Sequence, residues 1–131
     1  MISSNLKITT INGIKKASHL EVGEKLLTVE LDNYKSFWYP IKRSKASEAK
    51  LYNFNFAAGT LSCTHNQLVL CSHKKVIEIG EALINKVRIH TLSGLLLPHS
   101  VENSSAKGES IDVRPVGWGT KSVILAGIFC V

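Results

Sequence analysis

Apolar and polar positions alternate along this chain in short runs, and no run has the period of a long amphipathic helix. Leu6 to Thr10 alternates as a strand with Leu6, Ile8 and Thr10 on one face. Asn12-Gly13 is a hairpin turn signal, and Ala17 to Glu24 reads as a short turn of helix ending in a glycine turn. Lys25 to Leu31 is rich in β-formers, and Asp32-Asn33 turns the chain. Phe37-Trp38-Tyr39 is a short aromatic strand whose far end Pro40 demotes to an edge or bend. Ser44 to Lys50 is polar and predicts a loop. Leu51 to Ala57 alternates cleanly, with Tyr52, Phe54 and Phe56 on one face. Gly59 to Cys71 predicts a strand, a sharp polar turn and a second strand, and Ser72 to Lys75 another turn. Val76 to Leu83 suits a strand and then a short helix, and Lys86 to Thr91 a strand. Ser93-Gly94 and Pro98 punctuate Leu95 to Leu97. Glu102 to Ser110 is the most loop-like segment. Ile111 to Val113 predicts a strand, Pro115 to Gly119 a turn, and Val123 to Val131 a buried strand kinked at Gly127. Many short strands between regular turn signals predict an all-β fold.

Length and composition narrow the class. The 131 residues fit one domain spanning 1–131. Hydrophobic residues make up 44%, enough to fill a core, and charged residues only 20%, which argues against disorder. The net charge of +6 permits weak attraction to nucleic acid or anionic lipid. The lysines are scattered, however, and no basic run interleaves with aromatics. A solvated basic face is expected, with no dedicated nucleic-acid site. Three cysteines, Cys63, Cys71 and Cys130, make no CxxC pair, and the odd count argues against a disulfide framework. The five histidines share no ligand spacing, so neither a metal nor another cofactor is expected. No signal peptide and no apolar run of membrane-spanning length is visible.

The stretch from Gly59 to Cys71 carries the candidate chemistry. Cys63, Thr64, His65, Asn66 and Gln67 crowd between two apolar runs, and polar groups held at a strand end are placed to act on a backbone. An internal echo adds to the picture. Leu20 to Leu27 and Ala82 to Ile89 each read as a short turn, Gly23 or Asn85, a lysine and a strand, which suggests two halves about a pseudo-twofold.

Four segments in order resemble the blocks of one family. Ile8 to Gly13 resembles the strand-turn of a first splicing block, and His19 to Val29 that block's L-x-x-G-[DE] strand. Gly59 to Leu70 resembles a strand, T-x-x-H and an apolar strand. Asp112-Val113 with Val123 to Cys130 resembles the closing strand pair. Together they resemble the Hint domain of inteins and hedgehog autoprocessing domains, here a minimal form with no room for an endonuclease insert. The resemblance implies a horseshoe of short twisted strands. It also implies an N–S or N–O acyl shift at the upstream peptide bond, leading to protein splicing or self-cleavage. The partner implied is the flanking polypeptide in cis and, in a hedgehog-type reaction, a sterol or other small nucleophile. A monomer is expected, in the cytoplasm if intein-like.

Several positions depart from the family's pattern. Met1 stands at the nucleophile position, and a thioether has no proton to lose. The T-x-x-H block has two registers. With Thr64 as its Thr, Gln67 takes the usual His position and Leu68 to Leu70 follow as the apolar strand. With His65 as its His, Ser62 replaces the Thr and the strand starts late. Glutamine donates a hydrogen bond but cannot shuttle a proton near neutral pH. Val131 falls at the usual penultimate His, and Arg43 near the acidic residue of the hedgehog pattern. Cys130 lies in the closing strand near the implied site; a buried cysteine is ordinarily a small hydrophobe. Asp112 suits orienting a strand end better than acting as an acid. Two functions follow. The first is an autoprocessing domain impaired at Met1 and Gln67. The alternative is a degenerate, non-cleaving Hint domain serving as a structural or interaction module.

Overall fold

Side chains alternate across each strand, so the apolar phase decides which face turns inward. The structure, a computed structural model, describes residues 1–30, 35–91, 94–116 and 123–124. Its strands are β1 (Ile2–Ser3), β2 (Lys7–Thr10), β3 (Gly13–Lys16), β4 (Lys25–Glu30), β5 (Ser36–Arg43), β6 (Ser47–Phe56) and β7 (Gly59–Cys63). These are followed by β8 (Leu68–Leu70), β9 (Val76–Glu78), the short helix α1 (Ile79–Ile84), β10 (Ile89–Thr91), β11 (Gly94–Leu96), β12 (Ser100–Ile111), β13 (Val113–Pro115) and β14 (Val123–Ile124).

Strands β1, β12, β6 and β7 pair in turn and close into a small barrel. A six-stranded sheet runs β13-β5-β4-β2-β3, with β14 also on β4. The chain crosses between the two at Ser44 and Asp112. There the Ser44 N–H donates to the Asp112 carbonyl and the Asp112 N–H to Ser44 Oγ, both at 2.9 Å. Two hairpins, β8–β9 and β10–β11, are joined by a bridge between Cys71 and Ile89. Ile2, Ile8, Leu26, Ile41, Phe54 and Leu61 lie in one core fed by both sheets. The β2–β3 hairpin keeps its predicted turn. Thr10 pairs with Gly13, whose φ of +114° suits a residue without Cβ.

Three expectations are corrected. Glu102 to Ser110 is not a loop but lies within β12, the longest strand among the described residues, which pairs with β6 and, at its end, with β1. Polar residues enter the strand because pairing with β6, on either side of an irregularity between Asn103 and Lys107, satisfies backbone groups; β1 pairs only with Ser110 and Ile111. Gly108 is part of the reason the stretch reads as a loop. A Cβ there would meet Leu51 Cδ1 at 2.6 Å, so the glycine leaves room for a buried leucine. Ser47 to Lys50, expected in a loop, are likewise paired, with Ser110 to Lys107 of β12. Pro40 does not end its strand: β5 continues to Arg43. The Val116 N–H donates to the Pro40 carbonyl at 3.0 Å. The N–H that proline lacks would face the Val116 carbonyl, and Tyr39 Oη donates to that oxygen instead at 2.8 Å. Tyr39→Phe removes this donor and should lower stability by about 1 kcal/mol, read from urea midpoints.

Smaller differences follow from tertiary context. Strand β10 covers only Ile89 to Thr91 of the expected Lys86 to Thr91. In the internal echo, Gly23 has φ +90°, but the left-handed residue of the second segment is Lys86 rather than Asn85. Trp38, which could pack in the core or at its rim, is partly exposed on β5. The Asp32-Asn33 turn, Trp118, and the closing strand beyond Ile124 lie outside the described residues.

Candidate functional site

Strand register builds the site. Cys63 ends β7 and pairs with Ile2 on one side and Tyr52 on the other. Antiparallel pairing of Ile2 with Cys63 sets Met1 opposite Thr64. The Thr64 N–H donates to the Met1 carbonyl at 2.9 Å. Thr64 Oγ1 accepts from the Met1 amine at 3.1 Å and lies 3.2 Å from the Met1 carbonyl oxygen. It also lies 2.6 Å from Asn66 Oδ1. A hydroxyl has one proton and two lone pairs. The shorter contact takes the proton to Asn66, leaving the lone pairs directed at the nitrogen of residue 1.

The polar turn is held from behind. The Gln67 N–H donates to the Thr64 carbonyl at 3.2 Å, closing the turn. At the start of α1, the Ile79 N–H donates to the Gln67 carbonyl and the Gly80 N–H to the His65 carbonyl, at 2.8 and 3.0 Å. A Cβ on Gly80 would stand 3.1 Å from that His65 oxygen, so the backbone approach is close. The His65 ring stacks on Tyr52, with centroids 5.8 Å apart and planes 7° apart. Gln67 Nε2 donates to the neighbouring Leu68 carbonyl at 3.2 Å.

Among the described residues, Thr64 is therefore the predicted residue that meets residue 1. His65 and Gln67 share its turn, but their side chains are engaged with Tyr52 and Leu68. Cys130 and Val131 lie outside the described residues. Arg43, near the acidic position of the hedgehog pattern, binds backbone: Nη1 donates to the Ser18 and Leu20 carbonyls at 2.8 and 3.2 Å.

Sequence reading misses the partner of the Thr64 hydroxyl, Asn66, and a neighbour of residue 1, Ser110. Asn66 stands out in the sequence only as part of a polar cluster. Ser110 is buried, donates to the Ser47 carbonyl at 3.0 Å and lies 3.9 Å from Met1 Sδ. It is hidden in the stretch expected to be a loop. Asp112 contacts Arg114 Nε at 2.6 Å.

Burial dominates the electrostatics. It holds the Met1 amine below its ordinary pKa, and the Asp112 carboxylate opposes that shift. The Cys63 thiol is pushed up to about 12 and the Cys71 thiol to about 11, both chiefly by burial. A thiol whose folded pKa is raised contributes stability that is fully present below its unfolded value near 8.5 and lost as pH rises toward the folded value. Urea midpoints should therefore fall between about pH 8 and pH 10. For Cys63 alone the slope approaches about 1.4 kcal/mol per pH unit, and Cys63→Ala should lose that share. Among the described residues, no three His, Cys, Asp or Glu side chains gather as a metal-binding group. No helix among them is long and apolar enough to cross a membrane.

Solved structures identify the architecture. A bacterial intein-like domain from Clostridium thermocellum superposes with a TM-score of 0.76 at 11% identity, covering 95% of this chain and 96% of that one. The DnaB intein from Synechocystis sp. PCC 6803 matches with a TM-score of 0.71 at 16% identity, covering 95% and 96%. The gp41-1 intein matches with a TM-score of 0.70 at 16% identity, covering 93% and 94%. The chain has the Hint fold of inteins. At these identities the likeness establishes the fold, across nearly the full length of each chain. No protein-family profile and no curated protein sequence matches this Hint chain.

Proposed function

We propose that this Hint domain is a self-processing domain whose target is the peptide bond joining residue 1 to a preceding segment. The observation that supports this most is the hold of Thr64 on both backbone polar groups of residue 1. The free amine of Met1 occupies the place of the leaving amine. In a longer chain the same nitrogen would be an amide N–H directed at Thr64 Oγ1.

With cysteine in place of Met1, the thiol gives up its proton and its sulfur attacks the preceding carbonyl carbon. A thioester forms, the C–N bond breaks, and the residue-1 nitrogen takes a proton to become an amine. Thr64 Oγ1, 3.1 Å from that nitrogen, holds it as the bond breaks. The Thr64 N–H fixes the residue-1 carbonyl, so the junction keeps its orientation. Methionine cannot take the first step, because its thioether carries no transferable proton. The reading therefore concerns a retained site rather than the turnover of Met1 itself.

A fusion with a tag ahead of residue 1 and Met1→Cys tests this. Dithiothreitol should attack the thioester and release the tag at that junction, while the Met1 fusion stays intact. If Met1→Cys with Gln67→His also stays intact, the site is vestigial and the non-cleaving interaction module replaces this reading.

A further inference from the structure

Register places an apolar row across the outer face of the six-stranded sheet. Ile14 pairs with Thr9, and Leu27 with Trp38. The Thr10–Leu26 pair sets Thr9 beside Leu27 and joins the two halves of the row. The alternate residues Ile8, Leu26 and Thr28 are buried, so this row points away from the core. Ile14 is 71% exposed and Trp38 41% exposed, and Ile11 in the hairpin loop is 48% exposed.

Lysines flank the row on both sides. Lys7 and Lys16 pair with one another two positions from Thr9 and Ile14. Lys25 lies on the other side, two positions from Leu27, and its carbonyl accepts the Ile11 N–H at 3.0 Å. All three side chains are exposed. Among the described residues of β2 to β5, no acidic side chain shares this face.

We propose that this face docks on an anionic lipid membrane surface. Tryptophan and aliphatic side chains suit the headgroup–acyl boundary, and lysines reach lipid phosphates while their stems cover apolar surface. Charge complementarity selects an anionic partner. The apolar centre distinguishes lipid from a single strand, which asks for successive aromatic platforms to stack its bases, and from a duplex, whose phosphates are met by basic and polar side chains. Here the one indole stands beside Leu27, with Ile14 at the far end of the row. Nothing in the proposed self-processing uses this face, so the two readings stand or fall separately.

Co-sedimentation of the full chain with vesicles tests the docking. Phosphatidylcholine vesicles containing phosphatidylserine should bind it at least about tenfold more tightly than phosphatidylcholine alone, and added salt should weaken the binding. Lys7→Glu with Lys16→Glu and Lys25→Glu should reduce the binding about tenfold or more. So should Ile14→Ser with Trp38→Ser. Both variants alter only outward-facing side chains, and circular dichroism checks their fold. A control carrying Lys45→Glu, Lys75→Glu and Lys107→Glu changes the net charge equally and should retain most of the binding. Equal loss in the control, indifference to the Ile14 and Trp38 changes, or no preference for phosphatidylserine would each overturn the proposal. Binding to single-stranded nucleic acid but not to vesicles would do the same.

Discussion

Thr64→Ala in the Met1→Cys fusion should slow thiol-induced cleavage by about 100- to 1,000-fold, the usual loss when one preorganised hydrogen-bonding group is removed from a reacting centre. Alanine keeps the backbone N–H that donates to the residue-1 carbonyl but removes the oxygen that meets the residue-1 nitrogen. Thr64→Ser keeps that oxygen and should restore most of the rate. Asn66→Ala should have a smaller effect of the same sign, because Asn66 Oδ1 takes the hydroxyl proton and so directs the lone pairs. Single-exponential release of the tag, followed at fixed thiol concentration, checks all three. Unfolding curves recorded alongside should separate this loss from destabilisation, since Thr64 lies in a turn at the edge of the core.

The second large effect is on stability. Phe54→Ala should cost about 3–5 kcal/mol. Phe54 is essentially buried, pairs with Leu61 on one side and Val101 on the other, and lies at an angle to Tyr52 with ring centroids 6.4 Å apart. Truncation removes the transferred apolar area and leaves a void that two paired strands cannot collapse to fill. A domain of this size is stable by roughly 5–15 kcal/mol in total. Most of the margin is therefore at stake, and a urea midpoint barely above zero denaturant is the expected reading. The same substitution at exposed Trp38 should change the midpoint little.

Much of this was legible from residue order because local signals agreed with the tertiary result. The Asn12-Gly13 turn, the alternation of Tyr52, Phe54 and Phe56, and the strand-then-helix at Val76 to Leu83 all report their own neighbourhood. The block order pointed to the Hint fold that the superpositions show. What failed was non-local. Residues 102 to 110 look like loop because their Asn, Ser, Lys and Gly favour turns, yet pairing with β6, joined by β1 at Ser110, makes them strand. Pro40 looks like a strand end because it lacks a donor, and only the fold brings Tyr39 Oη to the vacant acceptor. At the site, the T-x-x-H pattern left two registers open. The pairing of Ile2 with Cys63, distant in sequence, places Thr64 on residue 1. Ser110 could not have been found from sequence, since nothing local ties it to Met1.

The most direct measurement is the intact mass of the tagged Met1→Cys fusion after dithiothreitol. A retained processing site predicts two new species. One is a tag bearing dithiothreitol as a thioester at its C-terminus, and the other is a domain whose substituted first residue carries a free amine. An unchanged fusion mass, persisting with Gln67→His in a protein shown to be folded, would contradict the account.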